Sequence, residues 1–279
     1  MSFTFAEKME RSKNNLMIVD ALNLAFRWKH SGKLKFVDEY LATVASLAAS
    51  YECSQIVIAA DQGSSSYRLN LDPDYKCSRK EKYKNQTEEE KESFKKFMEE
   101  FERVLVALAE RYAVFRFQGV EADDIAAYVV QNRLKYKNDQ IWLISSDGDW
   151  DLLVDDKVSR FSYVSRKEFT ARNWSDHYDV PIKHFISYKC LMGDKGDDVM
   201  GIPGVGPKRA VSLIKEHGSA LDIFDSVPLP GKYAYIKKLN QWADRLPLNY
   251  ELMDLVTYCE VAIGAENTAV IDSRMLNED

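Results

Sequence analysis

The chain has 279 residues, enough for one large domain or two smaller ones, and its hydrophobic (46%) and charged (29%) fractions are those of an ordinary globular protein. No apolar run approaches the length of a membrane span and no charged-then-apolar signal opens the chain, so a protein without a membrane partner, placed in the cytoplasm, is expected. The scattered Cys53, Cys77, Cys190 and Cys259 form no CxxC pair, which argues against zinc or a disulfide framework, and a net charge of −6 carries no bulk signature of a nucleic-acid partner.

The run "NLMIVD" is short, continuous and apolar, as expected of a buried strand, and it ends in Asp20. A helix-like stretch, roughly Phe36 to Ala49, leads to "QIVIAAD", a second such run ending in Asp61. "YKCSRKEKYK", Tyr75–Lys84, sets Lys76, Arg79, Lys80, Lys82 and Lys84 against Glu81; a charge run of this kind is usually a solvated helix face. From Glu88 to Arg111, Phe94, Phe97, Met98, Phe101, Val104, Leu105 and Leu108 recur at three-and-four spacing, which predicts a long amphipathic helix. "AVFRF" reads as a strand running into "QGVEADD", with a helix over "IAAYVVQNRL", and "IWLISSD" is the fourth strand-like run.

The aspartates of "SSDGDWDLL", Asp147, Asp149 and Asp151, resemble half of a calcium loop. An EF-hand requires Gly at position six and Glu at position twelve, where this chain has Leu152 and Val158. Strands alternating with helices imply an α/β fold with a mostly parallel central sheet and helices on both faces. Beyond about residue 180 short helices take over, so the expected division is an α/β core over 1–180 and a helical subdomain over 181–279.

Each of the four strand-like runs delivers carboxylates at or just past its end: Asp20; Asp61; Glu121, Asp123 and Asp124; Asp147 and Asp149. In a parallel sheet those ends share one edge, where open α/β folds place their ligands. Asp194 and Asp197 in "MGDKGDD" add two more. Taken singly, each is more simply a helix cap or a polar turn. Taken together they would repel one another unless cations sat among them. With no His or Cys in the set, hard oxygen-seeking ions are expected, two or more Mg²⁺ or Mn²⁺, an arrangement that suits phosphodiester hydrolysis but also phosphatases and polymerases. Asp151 falls outside the set as a helix-start residue.

"GIPGVGPKRA" presents Gly201, Gly204 and Gly206 and then Lys208 and Arg209 at the start of a helix, the form of a helix–hairpin–helix motif. Glycines admit close backbone approach, free N–H groups at a helix N-terminus bind phosphate, and such contacts are blind to base sequence. The spacing is not that of a nucleotide P-loop.

Together, "IVDALNLAFR", "ADQG", "YKCSRKEKY", "GVEADDIAAY", "ISSDGDWDLL" and "MGDKGDDVMGIPGVGPKRA" resemble, in order and spacing, the 5′ nuclease (flap endonuclease) superfamily. The resemblance is nearest to the stand-alone phage-type enzymes and extends to the nuclease domain of bacterial DNA polymerase I. It implies a PIN-like sheet, a helical arch over about 75–110 admitting a single-stranded 5′ end, and a helix–hairpin–helix in a C-terminal DNA-binding subdomain. It further implies a metal-dependent 5′-3′ exonuclease and 5′-flap endonuclease acting on nicked or branched DNA, with RNA primers as further substrates, serving replication and repair as a monomer in the cytoplasm, that of the host cell if phage-encoded. By that likeness Asp20, Asp61, Glu121, Asp123 and Asp124 form the tighter, catalytic metal cluster, and Asp147, Asp149, Asp194 and Asp197 the second. Lys76 and Arg79 contact the scissile phosphate, Lys80 continues the arch, Tyr75 stacks on the displaced nucleotide, Arg27 touches phosphate, and the hairpin holds a potassium ion. Ala21 and Cys77 stand where many relatives have Gly, which puts the loop around Lys76 in question. A related ribonuclease of the PIN-like or RNase H type, or a non-catalytic junction-binding protein, are the competing readings.

Overall fold

The computed structural model describes residues 14–276; the N-terminal stretch read for a targeting signal lies outside them. Its centre is a sheet in the order β3-β2-β1-β4-β5-β6, built from β1 (Asn15–Asp20), β2 (Cys53–Ala59), β3 (Ala113–Phe115), β4 (Gln140–Ile144), β5 (Val158–Ser162) and β6 (Lys167–Phe169). The first five run parallel, and β6 returns antiparallel to β5. The short apolar runs are strands because both their faces are covered. Leu16 and Ile18 of β1 enter one core while Met17 and Val19 enter another, the period-two division that a pleated strand imposes.

On the second face lie α1 (Ala21–His30), α2 (Val37–Ser50) and the long α5 (Glu88–Ala109), which buries Phe97, Phe101, Val104, Leu105 and Leu108. Thr87 and Glu90 close a capping box at the start of α5, so the acidic "TEEEKE" is a helix N-terminus stabilised by its own side chains. Before it come two short helices, α3 (Ser66–Leu71) and α4 (Cys77–Lys84), the latter exposed and joined to α5 through 85–87. The positive φ in this region falls on Lys76 (+55°), not on Cys77, which opens α4 as an ordinary helical residue; a glycine is not required there.

The first face is covered by α6 (Ala122–Gln131) together with α12 (Leu255–Ile263) and α13 (Ala265–Leu276). The last two helices therefore pack on the sheet although they lie beyond residue 180. Leu255, Cys259, Ile263, Ile271 and Met275 share a core with β1, β2 and β4, so the end of the chain returns to the sheet. A helix's apolar stripe tells that it is covered but not by what, which is why the pattern alone grouped these helices with their sequence neighbours. A separate core unites Trp174 and Val180 with α7 (Phe185–Met192), α8 (Pro207–His217), α9 (Ala220–Asp225), α10 (Ala234–Trp242) and α11 (Arg245–Met253). Between α7 and α8, two-residue strands β7 (Gly193–Asp194) and β8 (Val199–Met200) make a small antiparallel hairpin. Among the described residues no helix is long and apolar enough to cross a membrane.

Candidate active site

The parallel strands β3, β2, β1 and β4 are neighbours, so their C-terminal ends bring Glu121, Asp61, Asp20 and Asp147 to one edge. Asp20 ends β1 and also caps α1, its Oδ1 accepting from the Asn23 N–H (3.2 Å) and its Oδ2 from the Ser145 hydroxyl (2.7 Å). Asp61 Oδ1 accepts from the Ala122 N–H at 2.8 Å, which ties the end of β2 to the start of α6. Asp123 Oδ1 accepts from the Trp150 indole at 2.6 Å, and Asp147 Oδ1 from the Asp149 N–H at 2.9 Å. Cap and cluster are therefore not exclusive roles: Asp20 and Asp147 serve as both.

Among the described residues Asp20, Asp61, Asp123 and Asp147 have no ion pair, yet they crowd one another. Burial, then Asp61, with a smaller contribution from Asp147, pushes the Asp20 carboxyl up to about 8. Burial and then Asp149 push Asp147 up to about 6. Burial and then Asp147 drive Asp123 well above the carboxylate range, and burial with a lesser contribution from Glu121 raises Asp61. Burial is the largest cause in each, and the elevation persists although Lys76 pulls Asp61 and Asp123 down and Lys189 pulls Asp147 down.

The other half of the edge is neutralised by side chains. Lys76, 7% exposed, places Nζ 2.8 Å from Glu121 Oε1 and 3.4 Å from Asp197 Oδ2. Burial alone would raise Glu121, but Lys76 and Arg68 outweigh it and its carboxyl titrates low. Arg79 Nη2 donates to Asp197 Oδ1 at 2.6 Å. Lys189 on α7 bridges Asp149 and Asp194, the latter at 3.1 Å, and with Asp194 also accepting the Gly196 N–H its carboxyl is held low against burial. The β7–β8 hairpin is latched to the start of α4: Lys76 N–H donates to Asp197 O (3.0 Å) and Ser78 N–H to Asp198 Oδ2 (2.9 Å). Seven of the expected carboxylates thus connect with Glu121 through a chain of electrostatic neighbours, with ammonium and guanidinium groups standing between several of them.

Asp124 stands apart. It is fully buried with both oxygens in a bidentate pair with Arg68, Oδ2–Nη1 at 2.7 Å and Oδ1–Nη2 at 2.8 Å. Tyr75, expected as a stacking surface, is 4% exposed: its hydroxyl lies 3.0 Å from both Glu121 Oε2 and Asp197 Oδ2 and donates to that pair, while its ring belongs to the second core. An aromatic beside basic residues reads as a platform in sequence; folding instead found it a core and two acceptors. Asp151, expected only as a helix-start residue, is a buried partner of Arg160 (2.5 and 2.7 Å) and of the Tyr178 hydroxyl. Arg27 is exposed and turned onto the Tyr163 ring (4.5 Å), while Lys80 is an exposed residue of α4. Arg68, Lys189 and Trp150 were not singled out from the sequence. Lys189, five residues before Asp194, is the one whose spacing offered a signal.

In the "GIPGVG" turn the three glycines differ in purpose. A Cβ on Gly201 would fall 2.3 Å from the Met192 carbonyl carbon and oxygen, so its smallness serves chain-on-chain packing against β7 rather than ligand approach. Gly204 has φ +85°, completing the turn that Val205 N–H closes onto Ile202 O at 3.0 Å. Gly206 faces open space at the N-terminus of α8, which has Pro207 at its first position and no side-chain cap. Lys208 and Arg209 are exposed there, and Arg209 stacks on Tyr235 at 4.6 Å. An uncapped helix start flanked by two cations is suited to a phosphate.

Two family models match, "5′-3′ exonuclease, N-terminal resolvase-like domain" over residues 15–179 and "5′-3′ exonuclease, C-terminal SAM fold" over 180–275. The flap endonuclease of Escherichia phage T5 is 45% identical over 263 residues, covering 94% of this chain and 90% of that protein. A structure of T5 5′-exonuclease with divalent metal ions (zinc) superposes with a TM-score of 0.90 at 43% identity, over 94% of this chain and 98% of that one. A variant of the T5 flap endonuclease in a pseudo-enzyme-product complex with DNA and metal ions gives a TM-score of 0.89 at 43% identity, with the same coverage.

Proposed function

The chain belongs to the 5′-3′ exonuclease family, and from that membership we propose which of its residues carry the reaction. It is a flap endonuclease and 5′-3′ exonuclease, a DNA-binding nuclease that hydrolyses phosphodiester bonds. The observation that supports the assignment of the site is geometric: Asp20, Asp61, Asp123 and Asp147 gather at one sheet edge as an all-oxygen set in which, among the described residues, none has a side-chain ion pair. The donor chemistry suits hard divalent cations, two of them Mg²⁺ or Mn²⁺, toward which Asp20, Asp61, Glu121 and Asp123 on one side and Asp147, Asp149, Asp194 and Asp197 on the other would have to draw in, since among the described residues no three such groups stand where they could share an ion. When bound, the ions supply charge neutralisation and polarisation at the scissile phosphate.

The remaining roles fall to the chain's own groups. Lys76 and Arg79, held at the start of α4 by the β7–β8 hairpin, orient the phosphate and balance its developing charge. The α4–α5 hairpin is the arch that admits a 5′ flap, with Lys80 on it, and Arg27 offers a lateral phosphate contact. Lys208, Arg209 and the open start of α8 grip duplex backbone at a distance from the chemistry, in a turn where a potassium ion would sit among backbone carbonyls. In organisation, a sheet core closed by α12 and α13 carries the chemistry, and the unit from α7 to α11 carries the grip. The protein works as a monomer in the cytoplasm, and RNA-primed ends are accepted with DNA flaps.

A 5′-labelled flap, as DNA and as RNA, is the test, with and without excess EDTA. Cleavage that survives the chelator overturns the metal assignment, and cleavage of the RNA flap alone makes the protein a ribonuclease. Asp147→Asn is expected to depress cleavage far more than DNA affinity, because it also relieves repulsion of phosphate; an equal fall in both would remove Asp147 from the site.

A further inference from the structure

Arg68 is 2% exposed, and each of its three nitrogens donates to a fixed acceptor. Nε donates to Leu252 O (2.8 Å) at the end of α11, Nη1 and Nη2 engage Asp124, and Nη1 also lies 3.6 Å from Glu121 Oε2. The neighbouring main chain is held in the same manner. Ser65, which caps α3 through its hydroxyl on the Arg68 N–H, sends its own N–H to Glu121 Oε1 (3.2 Å), and Ser66 N–H donates to Gly119 O (2.9 Å). Arg68 therefore ties two stretches far apart in sequence, its own α3 and the end of α11, to the first turn of α6.

Consecutive helix residues project about 100° apart. Asp123 turns toward Trp150 and the other edge carboxylates, whereas Asp124 turns away into Arg68. A divalent cation approaching Asp124 would have to displace or sit against a guanidinium already bonded to both oxygens, and like charges so close repel strongly. We propose that Arg68 occupies the place of a metal ion at Asp124, and that the pair is a positioning device setting how α6 presents Glu121 and Asp123. The proposal rests on the metal-holding role of those two neighbours and removes Asp124 from the ligand set.

Manganese binding to the full chain without DNA, counted by electron paramagnetic resonance, tests it together with thermal unfolding. Arg68→Met leaves Asp124 buried and unpaired and is expected to lower Tm most. Arg68→Met/Asp124→Leu removes both charges, and it should recover most of that Tm and bind Mn²⁺ within about tenfold of wild type, the milder end of losses from outer-shell changes. Asp123→Asn should weaken Mn²⁺ beyond that. A double variant that stays as unstable as Arg68→Met, or loses Mn²⁺ as steeply as Asp123→Asn, overturns the pair. If Asp123→Asn binds Mn²⁺ like wild type, the metal assignment of α6 fails instead, while the Tm recovery still decides the pair. The positioning role is read from Arg68→Lys, which cannot form the fork: kcat should fall about 10-fold with KM little changed. A rise in KM alone would make Arg68 a DNA contact, and no change in either would leave it purely structural.

Discussion

Two groups of carboxylates, one fully and the other mostly only partly buried, are built on opposite terms in this protein. Asp124 and Asp151 each face a guanidinium, Arg68 and Arg160, in bidentate pairs that nearly exclude solvent. Asp20, Asp61, Asp123 and Asp147 face one another and bond hydroxyl, indole and backbone donors, with Lys76, Arg79 and Lys189 acting on them across space without a direct pair. Burial alone therefore says little about an aspartate's purpose. The first group is paired as folded, and the second has no direct ion pair among the described residues.

The sharpest way to break this contrast is to neutralise one member of each group. Asp20→Asn should lower flap cleavage by about 100-fold or more, the scale of removing one preorganised electrostatic group, while Tm holds or rises because repulsion is relieved. A fall in Tm matching that of a paired aspartate would erase the distinction. Arg160→Met should have the reverse profile. It strands Asp151 in the core and costs about 3–5 kcal/mol by chemical denaturation, and Asp151→Leu in the same chain should restore most of it.

Smaller effects are expected away from the edge. Lys208→Ala/Arg209→Ala should raise Kd for duplex DNA and lessen the dependence of log K on log salt by about 0.9 for each phosphate no longer neutralised, read by fluorescence anisotropy across a KCl series. An unchanged slope would take the α8 turn out of the DNA interface. The smallest effect belongs to Asp272. Burial would raise its carboxyl, but Lys135, Tyr136 and Tyr128 hold it below the ordinary value. A depressed carboxylate stabilises the fold above its unfolded pKa, and that contribution is lost as pH falls through the folded one. The Tm advantage of wild type over Asp272→Asn should thus be full above about pH 4 and shrink in more acidic buffer; an advantage that persisted into acid would mean the pairing is not ionic.

Much of the sheet was legible because fully buried parallel strands are short, continuous apolar runs, and β1, β2 and β4 read that way. β5 and β6 did not: "VSRFS" carries Arg160, whose burial depends on Asp151, and "KEF" is a three-residue edge strand. The carboxylates that cluster were legible from their position after strands, since strand direction in a parallel sheet places them at one edge. The surroundings of Tyr75 were not legible because its two hydroxyl partners lie 46 and 122 residues away.

What the sequence determined by itself was the inventory and its rough placement: which anions stand at strand ends, where the cations run, and where a tight turn opens a helix. These follow from local pattern, and local pattern is set by periodicity, turn chemistry and charge. What only the tertiary structure decided was pairing. Whether an aspartate meets an arginine, a lysine or another aspartate depends on contacts such as Arg68 to Asp124, 56 residues apart, and on the return of α12 and α13 to the sheet. Electrostatic roles are properties of pairs in space, so identical residues in one acidic motif, Asp123 and Asp124, part company once a helix turns them to different neighbours.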